Sequence, residues 1–235
     1  MIKLFCIPHS GASAMVYSKW RKLPNLQMEL IAVEVAGHGT RMREKCFVDV
    51  YESAKDLAQQ IASQIGEEDY AILGHSLGAV LAYETYFALV KMGVKKPIHM
   101  FFSGRKAPGD LDEETEFYLL PDEEFIEVVE AYGSTTKEAF ENPALRELFL
   151  PILRADFQMG ETYRHKERSE KIDCDITVMN GNEDLSVRNS DMNLWSEYTS
   201  GKCDIQYYQG GHFFLFEKTD EILQMMYESI TAKES

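Results

Sequence analysis

Residues 74–78 (GHSLG) restrict what this chain can fold into more than any other stretch. They follow an apolar run at 70–73 and precede apolar residues spaced as in a helix, so they predict a sharp turn from strand to helix. Glycines two positions before and after Ser76 let the strand and the helix approach closely and force the serine onto an exposed, strained bend. Its hydroxyl then stands at a helix N-terminus, where backbone N–H groups favour a developing negative charge. This is the position of a nucleophile.

Strand and helix patterns alternate on both sides of this turn. Apolar runs predict buried strands at 2–7, 29–35, 70–73, 97–103, 175–181 and 204–209. Helical spacing predicts helices at 17–23, 48–65, 77–92, 191–198 and 217–232. The alternation predicts an α/β fold with a mainly parallel central sheet, flanked by helices and joined by right-handed crossovers.

From 105 to 171 the alternation breaks, and the patterns are helical, at 122–132, 137–141 and 142–165. A helical insertion of this size, rich in Leu, Phe and Tyr and placed after the strand that follows the turn, predicts a lid over a site. The predicted organisation is therefore a core of residues 1–104 and 172–235 with a helical lid insertion at 105–171. The alternative is an ordinary helical subdomain.

A serine hydroxyl is a weak nucleophile at neutral pH, so Ser76 requires a base and a third group that orients the base. In hydrolases with this type of turn the chain order is serine, then Asp or Glu, then histidine, each on a loop after a strand. Asp184 and His212 each follow a predicted strand in that order, and two glycines precede the histidine. They are the candidate acid and base. Glu183 and Asp191 remain alternatives for the acid.

The other five histidines occupy less suitable positions. His75 adjoins the serine on a sharp turn, where neighbouring side chains point apart, so we expect it to pack or hydrogen-bond beside the sheet. His99 lies inside a predicted strand and is expected to be a satisfied core residue. His165 lies on a predicted helix of the insertion. His9 and His38 precede the turn and are expected in loops or pocket walls.

The tetrahedral intermediate of acyl transfer carries an oxyanion, which preorganised backbone N–H groups stabilise. Leu77, the residue after the serine, is the candidate for one of these donors. The loop after the first strand provides the other, from Ser10 or alternatively from Gly11. Because the donors belong to the backbone, the side chains at these positions have no part in the role.

The net charge of the chain indicates which classes of partner it can bind. The 235 residues include 24 Lys and Arg against 39 Asp and Glu, a net charge of −15 with neutral histidines, so we expect neither nucleic acid nor a membrane as a partner.

The four cysteines lack the spacing of a zinc site, and the first residues resemble a strand rather than a secretory leader, so we expect a cytoplasmic protein. No nucleotide, dinucleotide or metal-binding motif is present, so no cofactor or metal is expected.

Short segments at 8–11 (PHSG), 36–39 (AGHG), 74–78, 120–122 (LPD), 150–157 (LPILRADF), 180–181 with Asp184, and 210–214 (GGHFF) form a pattern along nearly the whole chain. This pattern resembles the type II (editing) thioesterases that accompany nonribosomal peptide and polyketide synthases. The LPILRADF segment is the specific one, since general esterases of this fold have no physical reason to repeat it. The resemblance implies an α/β-hydrolase fold with a helical lid and a catalytic triad of Ser76, Asp184 and His212.

Two segments depart from the family pattern. Residues 10–12 (SGA) stand where A-G-G is usual, and residues 133–134 (GS) stand where G-G is usual. These changes bear on the shape of the loops and on acyl preference more than on the chemistry.

The resemblance also implies a substrate class: short acyl, aminoacyl or mis-primed acetyl groups, held as thioesters on the phosphopantetheine arm of carrier proteins and removed by hydrolysis. Carrier proteins are acidic, as this chain is, so we expect local cations such as Arg41, Arg43, Arg105 and Lys106 to dock them. A monomer is expected. The candidates for aromatic residues that line the lid are Phe117, Tyr118, Phe125, Phe140, Phe149 and Phe157.

Two other functions compete with this interpretation. The first is a general carboxylesterase or acyl-CoA thioesterase on the same fold. The second is a non-catalytic carrier-binding protein that has kept the fold of a hydrolase. The presence of all three triad candidates argues against the second.

Overall fold

The computed structural model describes residues 1–20, 28–110, 115–133 and 140–231, and six strands of these residues form one sheet. The strands are β1 (Ile2–Ile7), β2 (Met28–Ala32), β3 (Tyr70–His75), β4 (His99–Ser103), β5 (Asp175–Gly181) and β6 (Cys203–Tyr208). Their order across the sheet is β2-β1-β3-β4-β5-β6, and every neighbouring pair is parallel. The predicted mainly parallel sheet is confirmed.

Helices of the described residues connect the strands and cover the sheet. They are α1 (Val50–Ala62), α2 (Leu77–Met92), α3 (Asp122–Ala131), α4 (Pro143–Thr162), α5 (Phe214–Glu217) and α6 (Thr219–Thr231). Local signals in the sequence explain where two of them begin. Asp49 accepts a hydrogen bond from Glu52 N–H at the start of α1, and Asn142 accepts from two backbone N–H groups at the start of α4.

Both faces of the sheet are buried, because successive side chains of a strand point to opposite sides. Phe5 and Ile7 of β1 pack into one apolar cluster with α1 and α2. Leu4 and Cys6 of the same strand pack into a second cluster with α5 and α6. This two-sided burial explains why the strands read as continuous apolar runs instead of alternating with polar residues.

Two predicted helices near the end of the chain differ from the structure. The segment 191–198 forms a 3-10 helix, Met192–Tyr198, whose first turn is capped by the side chain of Asp191. The predicted last helix at 217–232 corresponds to α6, which begins at Thr219, and the short helix α5 lies directly before it. Both differences concern the tightness and the ends of a helix, which residue periodicity specifies least well.

Differences near the start of the chain and in the insertion are also local. A 3-10 turn occurs at Ala14–Tyr17, and the predicted helix at 17–23 extends into residues that lie outside those described. Strand β2 ends at Ala32, before the predicted end at 35. Most of the predicted helical piece at 137–141 also lies outside the described residues.

Between β4 and β5 the described residues form helices and no strand. A separate apolar cluster joins α3 and α4 and contains Phe125, Ile126, Val129, Phe140, Leu150 and Leu153. Glu161 of α4 accepts hydrogen bonds from the backbone N–H groups of Phe117 and Tyr118, which fastens the preceding segment to α4. Helix α4 ends at Thr162, so His165 follows this helix and does not lie on it. The division into a core and a lid stays a prediction.

Strand β3 and helix α2 cross at a distance that only glycine permits. A Cβ atom at Gly74 would lie 2.0 Å from the carbonyl oxygen of Gly78. One at Gly78 would lie 2.4 Å from the carbonyl oxygen of Ile7 and 2.5 Å from that of Pro8. Because all of these neighbours are backbone atoms, no rotation of a side chain relieves the overlap. The close approach predicted from the two glycines is present.

We expect Gly78→Ala to lower the free energy of unfolding by about 1–3 kcal/mol, because the new methyl group overlaps the backbone of the loop after β1. Gly211→Ala is the matched control, since a Cβ there meets nothing within 4 Å and neither glycine has a positive φ. Urea unfolding of both variants measures the effect. Equal midpoints for the two variants would contradict the steric explanation.

Candidate active site

Ser76 occupies the predicted bend between β3 and α2. Its backbone has φ 57° and ψ −118°, and it is the one non-glycine residue with positive φ in the described chain. Such a conformation costs about 1–3 kcal/mol and persists only where the surroundings hold it. Here the Ser76 N–H donates to the carbonyl oxygen of Ser103, at the end of β4, over 2.8 Å. The strained bend places the serine at the N-terminus of α2.

Asp184 and His212 form a hydrogen-bonded pair on the loops that follow β5 and β6. These strands are neighbours, so both loops leave the same edge of the sheet. His212 Nδ1 lies 2.7 Å from Asp184 Oδ2, and Asp184 is 4% exposed. Burial opposes ionisation of this carboxyl, but hydrogen bonds from His212 and Ser186 hold its pKa below the usual value. An ionised Asp184 accepts the Nδ1 proton, which leaves Nε2 as the basic nitrogen of the imidazole.

The two alternative acids occupy other environments. Glu183 is exposed, and the side chain of Asp191 accepts a hydrogen bond from Asn193 N–H as the cap of a 3-10 helix. In the described structure, the carboxylate that His212 contacts is that of Asp184. The geometry therefore favours Asp184 over both.

Ser186 supports the same carboxylate and was not among the predicted site residues. Its hydroxyl donates to Asp184 Oδ1 over 2.7 Å, and its backbone N–H donates to the same oxygen over 2.9 Å. The hydroxyl oxygen also lies 3.2 Å from His212 Nδ1. An aspartate often accepts a hydrogen bond from the backbone N–H two residues later, so the position of Ser186 relative to Asp184 was the available clue.

A cavity of about 590 Å³ lies over Ser76 and His212. Loops at the ends of the strands form one side of it, and α3, α4 and the segment before them form the other. The residues of the first side include Ser10, Leu77, Gly104 and Phe213, and those of the second include Phe117, Tyr132, Leu153, Phe157 and Gly160. The candidate nucleophile and base therefore face a cavity that residues of the insertion line on one side.

Two of the six predicted lining aromatics, Phe117 and Phe157, line this cavity. The other four are not among its lining residues, and two of them, Phe125 and Phe140, are buried in the apolar cluster of α3 and α4. Tyr132, which was not predicted, has its ring centre 6.0 Å from that of His212. Helical spacing identifies apolar residues, but it does not distinguish those that face a cavity from those that face another helix.

A larger groove, of about 1000 Å³, lies between α1, α2 and residues 166–173. The described residues that line it include Ser169 and Ser200 but no histidine. Without a base, neither serine is activated as a nucleophile. The chemistry therefore belongs to the smaller cavity.

Ser76 and His212 share that cavity, yet within the described structure the serine hydroxyl makes no hydrogen bond with the imidazole. The His212 ring packs against His75 and Phe213, each with 5.1 Å between ring centres. Gly104 leaves it room, because a Cβ at that glycine would lie 3.2 Å from His212 Cε1. Catalytic hydrogen bonds are often long without substrate and tighten when substrate binds.

Three of the remaining histidines, His75, His99 and His9, lie in the surroundings expected for them. His75 is fully buried, its Nδ1 lies 3.0 Å from Ser103 Oγ, and burial holds its pKa well below the usual value. His99 is buried in β4 with Nε2 2.9 Å from Thr177 Oγ1. His9 lines the cavity, and burial lowers its pKa to about 4, which makes it a weak base at neutral pH.

The loop after β1 has one N–H group that is already engaged. Gly11 N–H donates to Asp156 Oδ2 over 2.6 Å, so it does not face the cavity as a donor. Ser10 and Leu77 both line the cavity. Of the two alternatives in this loop, Ser10 is the one that remains compatible with an oxyanion donor.

Two further properties of the described residues concern membranes and metal ions. In the described part of the chain, no helix is both long and apolar enough to span a membrane. The same residues contain no group of three or more His, Cys, Asp or Glu side chains arranged to hold a metal ion.

The family model of the thioesterase domain matches residues 2–230. The chain belongs to the thioesterase family. It is a hydrolase that acts on thioester bonds, and its sheet, helices and bend at Ser76 are those of the α/β-hydrolase fold.

Relatives narrow the type of thioesterase. This thioesterase is 30% identical over 225 residues to the gramicidin S biosynthesis protein GrsT of Aneurinibacillus migulanus, across 96% of this chain and 87% of that protein. ClbQ from the colibactin NRPS/PKS pathway has a similar structure, with a TM-score of 0.93, 31% identity, and coverage of 99% of this chain and 98% of that one. BorB, a type II thioesterase of the borrelidin biosynthetic cluster, has a TM-score of 0.87 and 30% identity, with coverage of 97% of this chain and 92% of that one. The resemblance to type II thioesterases is confirmed.

We expect Ser186→Ala to reduce the kcat of this thioesterase about tenfold, because losing one hydrogen bond to a charged carboxylate costs about 1.5 kcal/mol. The measurement is hydrolysis of an acyl thioester under saturating substrate. Ser196→Ala is the control, since that hydroxyl donates to a backbone carbonyl on the surface. Equal kcat values in the two variants would show that Ser186 does not support Asp184.

Proposed function

We propose that the protein hydrolyses acyl and aminoacyl thioesters carried on the phosphopantetheine arm of carrier proteins, as an editing or releasing enzyme of nonribosomal peptide or polyketide synthesis. The observation that carries this proposal is the 2.7 Å Asp184–His212 pair, which shares with the strained Ser76 a cavity lined on one side by the insertion. The relatives with known pathways support the carrier as the source of the acyl group.

In the proposed mechanism Ser76, His212 and Asp184 act as a catalytic triad. His212 Nε2 takes the hydroxyl proton while Ser76 Oγ attacks the thioester carbonyl, and Asp184 stabilises the resulting imidazolium. The tetrahedral intermediate collapses as the carbon–sulfur bond breaks, and the sulfur leaves with the proton from His212. Water then attacks the acyl-enzyme with His212 as base, which releases a carboxylic acid and restores the serine. Ser76 Oγ must first come within hydrogen-bonding distance of the imidazole.

The proposed oxyanion hole consists of the N–H groups of Leu77 and Ser10. Leu77 is the first residue of α2, so its N–H lies at the positive end of the helix dipole. Ser10 stays the preferred donor of the loop after β1, because Asp156 already accepts the Gly11 N–H. No metal is required, since these two donors and the dipole neutralise the developing charge.

We propose that residues 105–171 act as a lid. The cavity beneath α3 and α4 is of the size of small-molecule sites and is walled by Phe117, Tyr132 and Phe157, so it suits a pantetheine thioester with a short acyl chain. Closure of this segment excludes bulk water, which strengthens the electrostatic interactions of the triad.

The proposed docking surface for the carrier is the cation-lined rim of this cavity. Arg105 and Lys106 line the cavity, and Arg43 is exposed. Arg41, which was also predicted to dock the carrier, donates hydrogen bonds to both Asp56 and Glu44. Two carboxylates thus compensate its charge, and it is left out of the proposed surface.

We place the enzyme in the cytoplasm. The four cysteines, all within the described residues, form no disulfide, which suits a reducing compartment in which carrier thiols also stay reduced. A monomer stays the expected oligomeric state, because the proposed mechanism uses residues of one chain.

We expect Ser76→Ala to reduce hydrolysis of acetyl-carrier protein at least about 10³-fold, since the nucleophile is lost while the oxyanion hole remains. Binding of the holo-carrier should persist within about threefold, because Ser76 is a single small contact. Wild-type turnover of acetyl-carrier protein, acetyl-CoA and p-nitrophenyl acetate is measured in parallel. A preference for either small substrate would favour a general thioesterase or esterase, and absence of hydrolysis of all three would favour a non-catalytic protein.

We expect the double variant Arg105→Glu/Lys106→Glu to raise KM for acetyl-carrier protein about tenfold, because like charges then oppose at the rim. The effect should weaken at high ionic strength. Lys19→Glu/Lys202→Glu introduces the same change of charge elsewhere and is the control. Equal KM values for the two double variants would exclude the rim as the docking surface.

A further inference from the structure

Asp156 is a charged side chain on α4 that lies inside the protein and contacts two loops of the core. It is 2% exposed. Its Oδ2 accepts a hydrogen bond from Gly11 N–H over 2.6 Å, in the loop after β1, and lies 3.0 Å from His38 Nε2, in the loop after β2. A buried carboxylate is costly unless it is paired, so these two contacts are required for α4 to pack where it does.

His38 carries a positive charge in this arrangement. Its Nδ1 lies 3.1 Å from the carbonyl oxygen of Ala36, and its Nε2 faces Asp156. Both partners are acceptors, so both ring nitrogens must donate, and only the imidazolium has two N–H groups. Burial opposes the charge, but the hydrogen bond and charge of Asp156 outweigh it, and the pKa of His38 lies above its usual value. Asp156 and His38 therefore form a buried ion pair.

The peptide group between Ser10 and Gly11 is held from both sides. Its N–H donates to Asp156, and its carbonyl oxygen lies 3.0 Å from His9 Nδ1. Gly11 has φ +73°, and a Cβ there would lie 2.5 Å from Leu153 Cδ2, so α4 packs directly on this peptide. The orientation of the adjoining Ser10 N–H thus depends on groups of α4 as well as on the loop.

We propose that Asp156 is a positioning residue, which with His38 holds the Ser10–Gly11 loop in the shape that presents the Ser10 N–H to the oxyanion. The proposal rests on the proposed function, since it requires acyl transfer at Ser76. It also links two parts of the molecule: the oxyanion hole is complete only while α4 is seated on the core. Displacement of α4 frees the Gly11 N–H and the loop together, so a thioester that enters beneath a displaced lid is not hydrolysed.

The test compares Asp156→Asn and Asp156→Ala with the wild type. The asparagine oxygen still accepts the Gly11 N–H, whereas alanine removes the acceptor. We expect kcat on acetyl-carrier protein to fall about tenfold for Asp156→Asn and about a hundredfold for Asp156→Ala, because direct loss of one oxyanion donor lowers kcat by about 10²–10³-fold. KM should stay within about threefold of the wild-type value. Glu147→Gln removes a charge from the exposed face of the same helix and should match the wild type.

A second readout separates positioning from a merely structural role. An alkylboronic acid forms a tetrahedral anionic adduct with a serine nucleophile, and its affinity reports the oxyanion hole. Its affinity should fall in parallel with kcat, while a thioether analogue of the substrate, which has no carbonyl oxygen, should bind as before. If either Asp156 variant keeps kcat and boronate affinity within twofold, or loses kcat without losing boronate affinity, the positioning role is excluded.

His38→Gln is a further variant in case the Asp156 variants do not fold. It keeps the carboxylate of Asp156 and a hydrogen-bond donor at position 38, but it removes the charge of the imidazolium. We expect kcat and boronate affinity to fall together here as well, by about tenfold, and unchanged values would overturn the proposal. A wild-type protein without hydrolysis would instead refute the proposed function. The two failures are therefore distinguishable.

Discussion

The crossing of β3 and α2 without an intervening side chain is the constraint on which the site depends. Gly74 brings β3 into backbone contact with α2, Gly78 brings α2 against the end of β1, and Ser76 between them adopts a positive φ. The strain is held by a hydrogen bond to Ser103 on the next strand. The sheet order then brings the loops after β5 and β6 to the same edge. The imidazole of His212 reaches the cavity over Gly104, where a side chain would displace it.

The parts of this arrangement that depend on local pattern were predictable from sequence. Apolar runs and helical spacing predicted the parallel sheet and the helices among the described residues between β4 and β5. Burial on one face or on both faces of an element determines the spacing of its apolar residues. The placement of Ser76, Asp184 and His212 at one edge of the sheet was predictable because each follows a strand, and strand ends of a parallel sheet share one edge. The choice between Ser10 and Gly11 could not be made from the sequence, since it depends on a carboxylate from a distant helix.

The parts that depend on which surfaces meet were not predictable. The ion pair of His38 and Asp156 joins residues far apart in the chain, and no spacing rule connects them. The same applies to Arg41, whose partners Asp56 and Glu44 compensate a charge that sequence alone presents as free. Tyr132 reaches His212 because α3 packs on α4 at a particular angle. Sequence periodicity contains no information on that angle.

The chemistry of a thioester explains why such a site can be small. A thiol is a better leaving group than an alcohol or an amine, so expelling it requires little help from a general acid. In the proposed mechanism the serine and the oxyanion hole then do most of the work, and selection among acyl chains falls to the walls of the cavity. The insertion forms one side of those walls, and that side would be free to vary without altering the triad. Asp156 restricts that freedom, because the helix that shapes the cavity also holds the loop of the proposed oxyanion donor.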